Sequence, residues 1–252
     1  MRFEARVVRR KRVRDDQRIV LQDVSLQEES FSDKKLVQFS AAGCSLESCR
    51  FDGIRIESAS FGAGVKTSKY LGCSFNGAHI TFGGGNRARF VNCSFQDVDL
   101  KNWFSYTTEL IDCAFSGKMR KAVFHGTVPE RVRASVGRVR NEFRGNDFST
   151  MDLYDVAFRS GIDLTLQKLP SSETYLYIPD ARAAVRAARA EVTAWTDLEL
   201  RQAAMALIKG LEDDVRGEQL QLLLRPDIYG PEARKSVEAV FEILRRFGQT
   251  NE

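Results

Sequence analysis

A chain of 252 residues with a formal net charge of +4 is long enough to bury a sizeable core, as one large domain or two smaller ones. It has no run of eighteen apolar residues to cross a bilayer, and its arginine-rich start lacks the apolar stretch of a secretory signal, so a cytoplasmic protein without membrane contact is expected. Five cysteines with no compact disulfide spacing fit a reducing compartment, in which thiols act as small hydrophobes.

Residues 1–18 are the most basic stretch, with Arg2, Arg6, Arg9, Arg10, Lys11, Arg12, Arg14 and Arg18 against Glu4, Asp15 and Asp16. Two readings fit: a patch that draws phosphates or an acidic partner, or a solvated first strand in which Val7 and Val13 alternate with cations. From Leu21 an apolar residue recurs every fifth position, as Leu21, Leu26, Phe31, Leu36, Leu46, Phe51, Ile56 and Phe61, with Ala41 the one small member. Two residues earlier stand Ile19, Val24, Phe39, Cys44, Cys49, Ile54 and Ala59, mostly small or apolar; the charged Glu29 and Lys34 mark the weakest part. A strand repeats at two and a helix at three and four, so a period of five suits neither. Five residues to a flat side and four sides to a turn predict a square coil of twenty residues.

The segment Gly62-Ala63-Gly64-Val65 shifts the register, so Cys49 and Cys73 lie twenty-four residues apart, as an insertion at a corner would require. A phosphate-loop reading of the following Lys66-Thr67 fails, because Val65 stands where that loop needs glycine. The triplets Cys73-Ser74-Phe75, Cys93-Ser94-Phe95 and Cys113-Ala114-Phe115 then follow at intervals of twenty, which predicts thiols and phenyl rings in aligned inner columns. Gly83-Gly84-Gly85-Asn86 interrupts as a loop or bulge. In Trp103-Phe104-Ser105-Tyr106 a serine takes the large position and tryptophan the small one, so the aromatics cannot all be inside. Trp103, Phe104 and Tyr106 form either a surface contact cluster or a slipped segment that buries two of the three rings.

The period runs on through Met119 and Phe124 and then stops. A basic insertion at about 125–142 follows, and from Lys118 to Arg144 the cations Lys118, Arg120, Lys121, Arg131, Arg133, Arg138, Arg140 and Arg144 face only Glu130 and Glu142. It reads as a protruding loop, or as an added strand pair carrying Val132, Val136 and Val139, and is the favoured interaction site. A final coil at Phe143, Phe148, Leu153 and Phe158 ends at Asp163, with Ile162, Leu164, Leu166 and Leu169 placed to cap it. Residues 174–178 read as a strand. Three amphipathic helices are predicted after Pro179: one to about Trp195 with Val185, Ala188 and Val192 inward, one opened by a Thr196-to-Glu199 capping box with Ala203, Leu207, Ile208, Leu211 and Val215 inward, and one after Gly230-Pro231. The last carries Val237, Val240, Phe241, Leu244 and Phe247, which must pack on the chain itself or on a second copy in a homodimer.

Neither His79, expected to face solvent, nor His125, at the edge of the insertion, has a carboxylate or cysteine at ligand spacing, and no nucleophile elbow or dinucleotide fingerprint is present. No enzymatic activity, metal or cofactor is therefore expected.

The stretch from Ile19 to Asp163 resembles the pentapeptide-repeat family, on the strength of Cys73-Ser74-Phe75, Ala78-His79-Ile80, Cys93-Ser94-Phe95, Val98-Asp99-Leu100 and Cys113-Ala114-Phe115. The resemblance implies a right-handed four-sided β-helix. With roughly six coils it would be about 30 Å long at the strand spacing of a sheet. Some members look like duplex DNA and protect DNA gyrase by occupying its DNA-binding surface. Here Lys69 and Arg89 fall in one outward column that Glu109 continues, which lacks the uniform negative potential of a DNA mimic. The expected protein is mainly β with an α tail: a basic segment 1–18, a β-helix over 19–169 and a helical domain over 170–252. Its expected role is that of a bacterial, non-enzymatic scaffold for a protein partner; gyrase protection and nucleic-acid binding through the basic segments are the alternatives.

Overall fold

The computed structural model describes residues 17–248, so all but the last two residues of the basic segment 1–18 lie outside the described residues. From Arg18 the chain winds as a β-solenoid. One wall stacks strands Arg18–Gln22, Gln38–Ala42, Arg55–Ser60, His79–Phe82, Ser94–Ser105, Ala114–His125 and Asp147–Arg159 in sequence order, each parallel to the next. A second wall stacks Ser25–Gln27, Ser45–Glu47, Ser68–Leu71, Ala88–Val91, Glu109–Ile111 and Phe143–Arg144, six rungs that bound about five complete turns. Arg18 lies beside Gln38 and Ser25 beside Ser45, the twenty-residue return that the period requires. Ser45 lies beside Lys69, so the extra residues around Gly62–Gly64 are absorbed at a corner.

A second periodic signal builds the corners. Two residues after the large inward side chain the backbone turns left-handed, at Asp23, Gly43, Ser48, Gly53, Gly72, Gly77, Asn92, Asp97, Asn102 and Asp112. Glycine has no Cβ to clash there, and the short polar side chains of Asn and Asp tolerate the conformation better than most. The inward positions fill the tube. Phe51, Phe75, Phe95, Phe115 and Phe148 stack face to face, with centroids 4.6–4.7 Å apart and planes within 12°. Cys49, Cys73, Cys93 and Cys113 occupy an adjacent column, fixed by the bridges of Arg50 to Ser74 and Ser74 to Ser94 and by the pairing of Ser94 with Ala114. All are free and buried. Contact with Cys113 and Cys73, added to burial, drives the Cys93 thiol far above its ordinary pKa.

The insertion is neither a loop nor a strand pair. Glu130–Val136 forms a short helix, α1, which follows Pro129 and ends at Gly137 in the left-handed conformation. Glu130 in its first turn and Arg133 in its last complement the helix dipole. None of its residues is fully buried, and of the predicted strand pair only one antiparallel bridge exists, between Thr127 and Arg140.

At the end of the solenoid Ile162 and Leu164 are buried, Leu169 is half-buried and packs on the core, and Leu166 stays exposed, so three of the four capping residues act as expected. Strand Leu176–Ile178 pairs antiparallel with Leu222–Leu224. Around it pack α2 (Ala181–Thr193), α3 (Leu198–Arg216) and α4 (Arg234–Arg245). Asp180 caps α2 by accepting from Ala183 N, and Asp197, not Thr196, caps α3 by accepting from Leu200 N. The inward side of α3 is Ala204, Ile208 and Leu211; Ala203 is exposed. Val237, Val240, Phe241 and Leu244 of α4 are all buried inside the chain, so this stripe is taken up by internal packing. Arg225 joins the two regions: it binds Asp152 and Asp227 and lies 5.1 Å and 5.5 Å from the ring centres of Tyr154 and Tyr175. Among the described residues no helix is long and apolar enough to cross a membrane.

Candidate functional site

Four departures from the five-residue period meet along one edge of the solenoid. They are the Gly62–Gly64 insertion, the Gly83–Asn86 loop, the aromatic run 103–106 and the insertion that carries α1. Gly62 and Asn86 form a parallel bridge, so the first two are neighbouring layers of one corner. A Cβ on Gly62 would fall 2.1 Å from the backbone of Arg87, which is why that layer tolerates no side chain.

Trp103 is in the core, 1% exposed, and not on the surface. Its ring stacks on Phe82 at 4.1 Å and meets Phe124 edge-on at 5.2 Å. The position is large where the period calls for a small residue because Ala122 lies beside it in the next layer and leaves room for the indole. Ser105 also points inward. Its hydroxyl donates to Asn86 O at 3.0 Å and accepts from Thr108 N at 2.9 Å, satisfying polar groups at the corner. With both neighbours inside, Phe104 and Tyr106 are left outside, 55% and 49% exposed. One ring of the three is buried, so the slipped alternative, with two inside, does not occur.

Tyr106 meets the insertion. Its ring stacks on His125 at 4.4 Å, and the Arg131 guanidinium lies 5.8 Å from its centre. His125 is half-buried with Nδ1 3.1 Å from Ser160 Oγ. Burial, helped by the charge of Arg159, lowers its pKa to about 4, so it is neutral at pH 7. Arg87, which the sequence did not single out, donates to Val65 O and, at 3.1 Å, to Ser135 Oγ, tying α1 to the glycine corner. The only signal for it in sequence is its place directly after the glycine loop. A cleft of about 220 Å³ lies among Arg87, Phe104, Tyr106, Arg131 and Val132. Beside it Asn86 donates to the carbonyls of Gly83 and Phe104, while its buried Oδ1 has no partner among the described residues.

The remaining arginines of the insertion serve the fold. Arg133 donates to Val128 O at 2.9 Å and Arg140 to Gly161 O at 2.9 Å. Arg138 reaches Glu109 at 3.3 Å, Thr107 O at 2.7 Å and Asn141 Oδ1 at 3.1 Å, and burial lowers its pKa. Arg144 pairs with Asp112 and Glu142 at 3.0 Å and 2.8 Å. Lys69, Arg89 and Glu109 do share a column, but the insertion covers Glu109. Lys118 and Arg120 belong to a different column pair, where Lys118 lies beside Asp99 and Asp152 and Arg120 holds Asp99 at 2.6 Å. Lys121 is exposed at a left-handed corner. These three do not join the cleft.

Among the described residues no three His, Cys, Asp or Glu side chains converge as a metal site. A comparison of the chain with protein-family models returns no match, and a comparison with curated proteins returns none either.

Proposed function

We propose that the chain is a pentapeptide-repeat protein and serves as a non-enzymatic scaffold that presents one edge of its solenoid to a protein partner in a reducing, cytoplasmic setting. The observation that carries this reading is the exposure of Phe104 and Tyr106 beside Arg131, at the end of a strand whose backbone pairs with the next layer through Ser105. Aromatic and arginine side chains are the residues that dominate protein interfaces when they are truncated. A rigid wall presents them at little cost in ordering. The chain leaves two large rings in water where the neighbouring inward positions bury every ring of the same size. Five buried, unpaired thiols suit a reducing environment.

Photo-crosslinking in cells tests this. Benzoylphenylalanine at position 104 should capture a protein that is not captured from position 118, on the other columns, and Arg131→Ser should abolish the capture with the circular dichroism and melting temperature unchanged. Identical capture from both positions, or none from either, overturns the scaffold reading.

A further inference from the structure

Building on the scaffold reading, we infer that the Phe104 cleft takes an aromatic side chain flanked by carboxylates, supplied by an acidic segment of the protein partner. Size points to a side chain of a macromolecule. Sites for free small molecules span roughly 300–1,000 Å³, and this cleft holds about 220 Å³. Phe104 and Tyr106 line it; Tyr106 already stacks on His125, whereas Phe104 stacks on no ring among the described residues and can accept another edge-on or offset.

Charge selects the flanks. The residues lining the cleft include Arg87 and Arg131 and no carboxylate. Four other clefts on the molecule each carry at least one, among them Glu173, Asp99, Glu238 and Asp152. The acids nearest in the stacked columns are already engaged, Glu109 by Arg89 and Arg138, and Glu142 and Asp112 by Arg144. Neither Arg87 nor Arg131 forms an ion pair among the described residues. A guanidinium presents paired donors that match a carboxylate. Arg87 is moreover fixed through Val65 O and Ser135, so its remaining donors are oriented before the partner arrives. A nucleic acid would need cations continuing in line beyond the cleft. The adjoining column runs Lys69, Arg89, Glu109, with Glu142 bonded to the same arginine, and puts carboxylates in that path.

The test is fluorescence anisotropy on the full chain with four labelled probes: a peptide of tyrosine flanked by glutamates, the same peptide with glutamines, the same with alanine for tyrosine, and a single-stranded oligonucleotide of matching charge. The glutamate–tyrosine peptide is expected to bind saturably, with the glutamine and alanine versions each about tenfold weaker or more. Arg131→Gln should weaken the first peptide by about tenfold, and Arg131→Lys should restore part of it; Arg131 is exposed and its side chain donates no hydrogen bond among the described residues, so both variants keep the wild-type melting temperature. Equal binding of the glutamate and glutamine peptides, tighter binding of the oligonucleotide, or no peptide binding overturns the inference. Failure is separable from that of the scaffold reading: capture at position 104 with no preference for the acidic peptide leaves the scaffold standing and removes the acidic partner.

Discussion

Asp99 and Glu109 are ten residues apart, and each faces cations from neighbouring layers of the same solenoid. Asp99 takes Arg120 at 2.6 Å and Lys101 at 3.3 Å, with the His79 ring 3.9 Å away, on a wall open to water. Glu109 takes Arg89 at 3.2 Å and Arg138 at 3.3 Å and accepts from Glu142 N at 3.0 Å. The geometry is alike, but the Asp99 side chain is 23% exposed and that of Glu109 only 6%, because the insertion closes over it. Burial alone would raise the Asp99 carboxyl, yet hydrogen bonds from Arg120 and Lys101 hold it below its ordinary range. An exposed pair exchanges water for protein at almost no net gain. A covered one is held by partners that water cannot replace. The same insertion thus supplies an anchor in Arg138 and a displayed cation in Arg131, which a count of arginines in sequence cannot tell apart.

Removing one partner from each cluster is the direct way to break this contrast. Glu109→Ala should cost the most, about 3–5 kcal/mol in urea unfolding, since it leaves the half-buried Arg138 without a carboxylate, although Arg89 keeps Glu142. A loss under about 1 kcal/mol would place Glu109 with Asp99. Arg138→Ser should follow at about 2–3 kcal/mol, because Glu109 keeps Arg89 but Thr107 O and Asn141 lose their donor.

Acid sharpens the contrast from the insertion side. His125 has its pKa lowered to about 4 in the folded chain, against about 6.5 when unfolded. Between those values the unfolded chain binds more protons, so stability is complete above about pH 6.5 and falls as the pH drops toward 4. The full shift corresponds to roughly 3 kcal/mol; partial exposure reduces that to on the order of 1 kcal/mol. His125→Gln should flatten this part of the pH–stability curve, and an unchanged curve would remove His125 as its source. Asp99→Asn should cost about 0–1 kcal/mol, with the difference fading in high salt. Phe104→Ser should leave stability within about 0.5 kcal/mol while weakening the glutamate–tyrosine peptide by about tenfold, the smallest thermodynamic and largest functional change of the set.

Much of the solenoid was legible because its cause is local. Large residues at every fifth position, with small ones two before, state which side chains face inward, and Cys73, Cys93 and Cys113 align for that reason alone. The left-handed corners at Asp23, Asn92 and Asp112 carried a readable signal too, in a third column of Gly, Asn and Asp that the inward pattern overshadows. The insertion was misread because seven helical residues, none fully buried, are too few to leave a helical period. Trp103 was misread as a contact residue because the space for it comes from Ala122 in another layer.

By itself, then, the order of residues determined the coil, its stacked core and the amphipathic helices, each of which follows from side-chain size and polarity at a fixed local spacing. Tertiary structure alone decided that the irregular segments around Gly62, Asn86, Ser105 and Arg131 share one edge, and that Arg138 is buried while Arg131 is displayed. Stacking brings residues separated by whole coils within a few ångströms of each other, and the partner that each charge then meets is not written in its own neighbourhood of the chain.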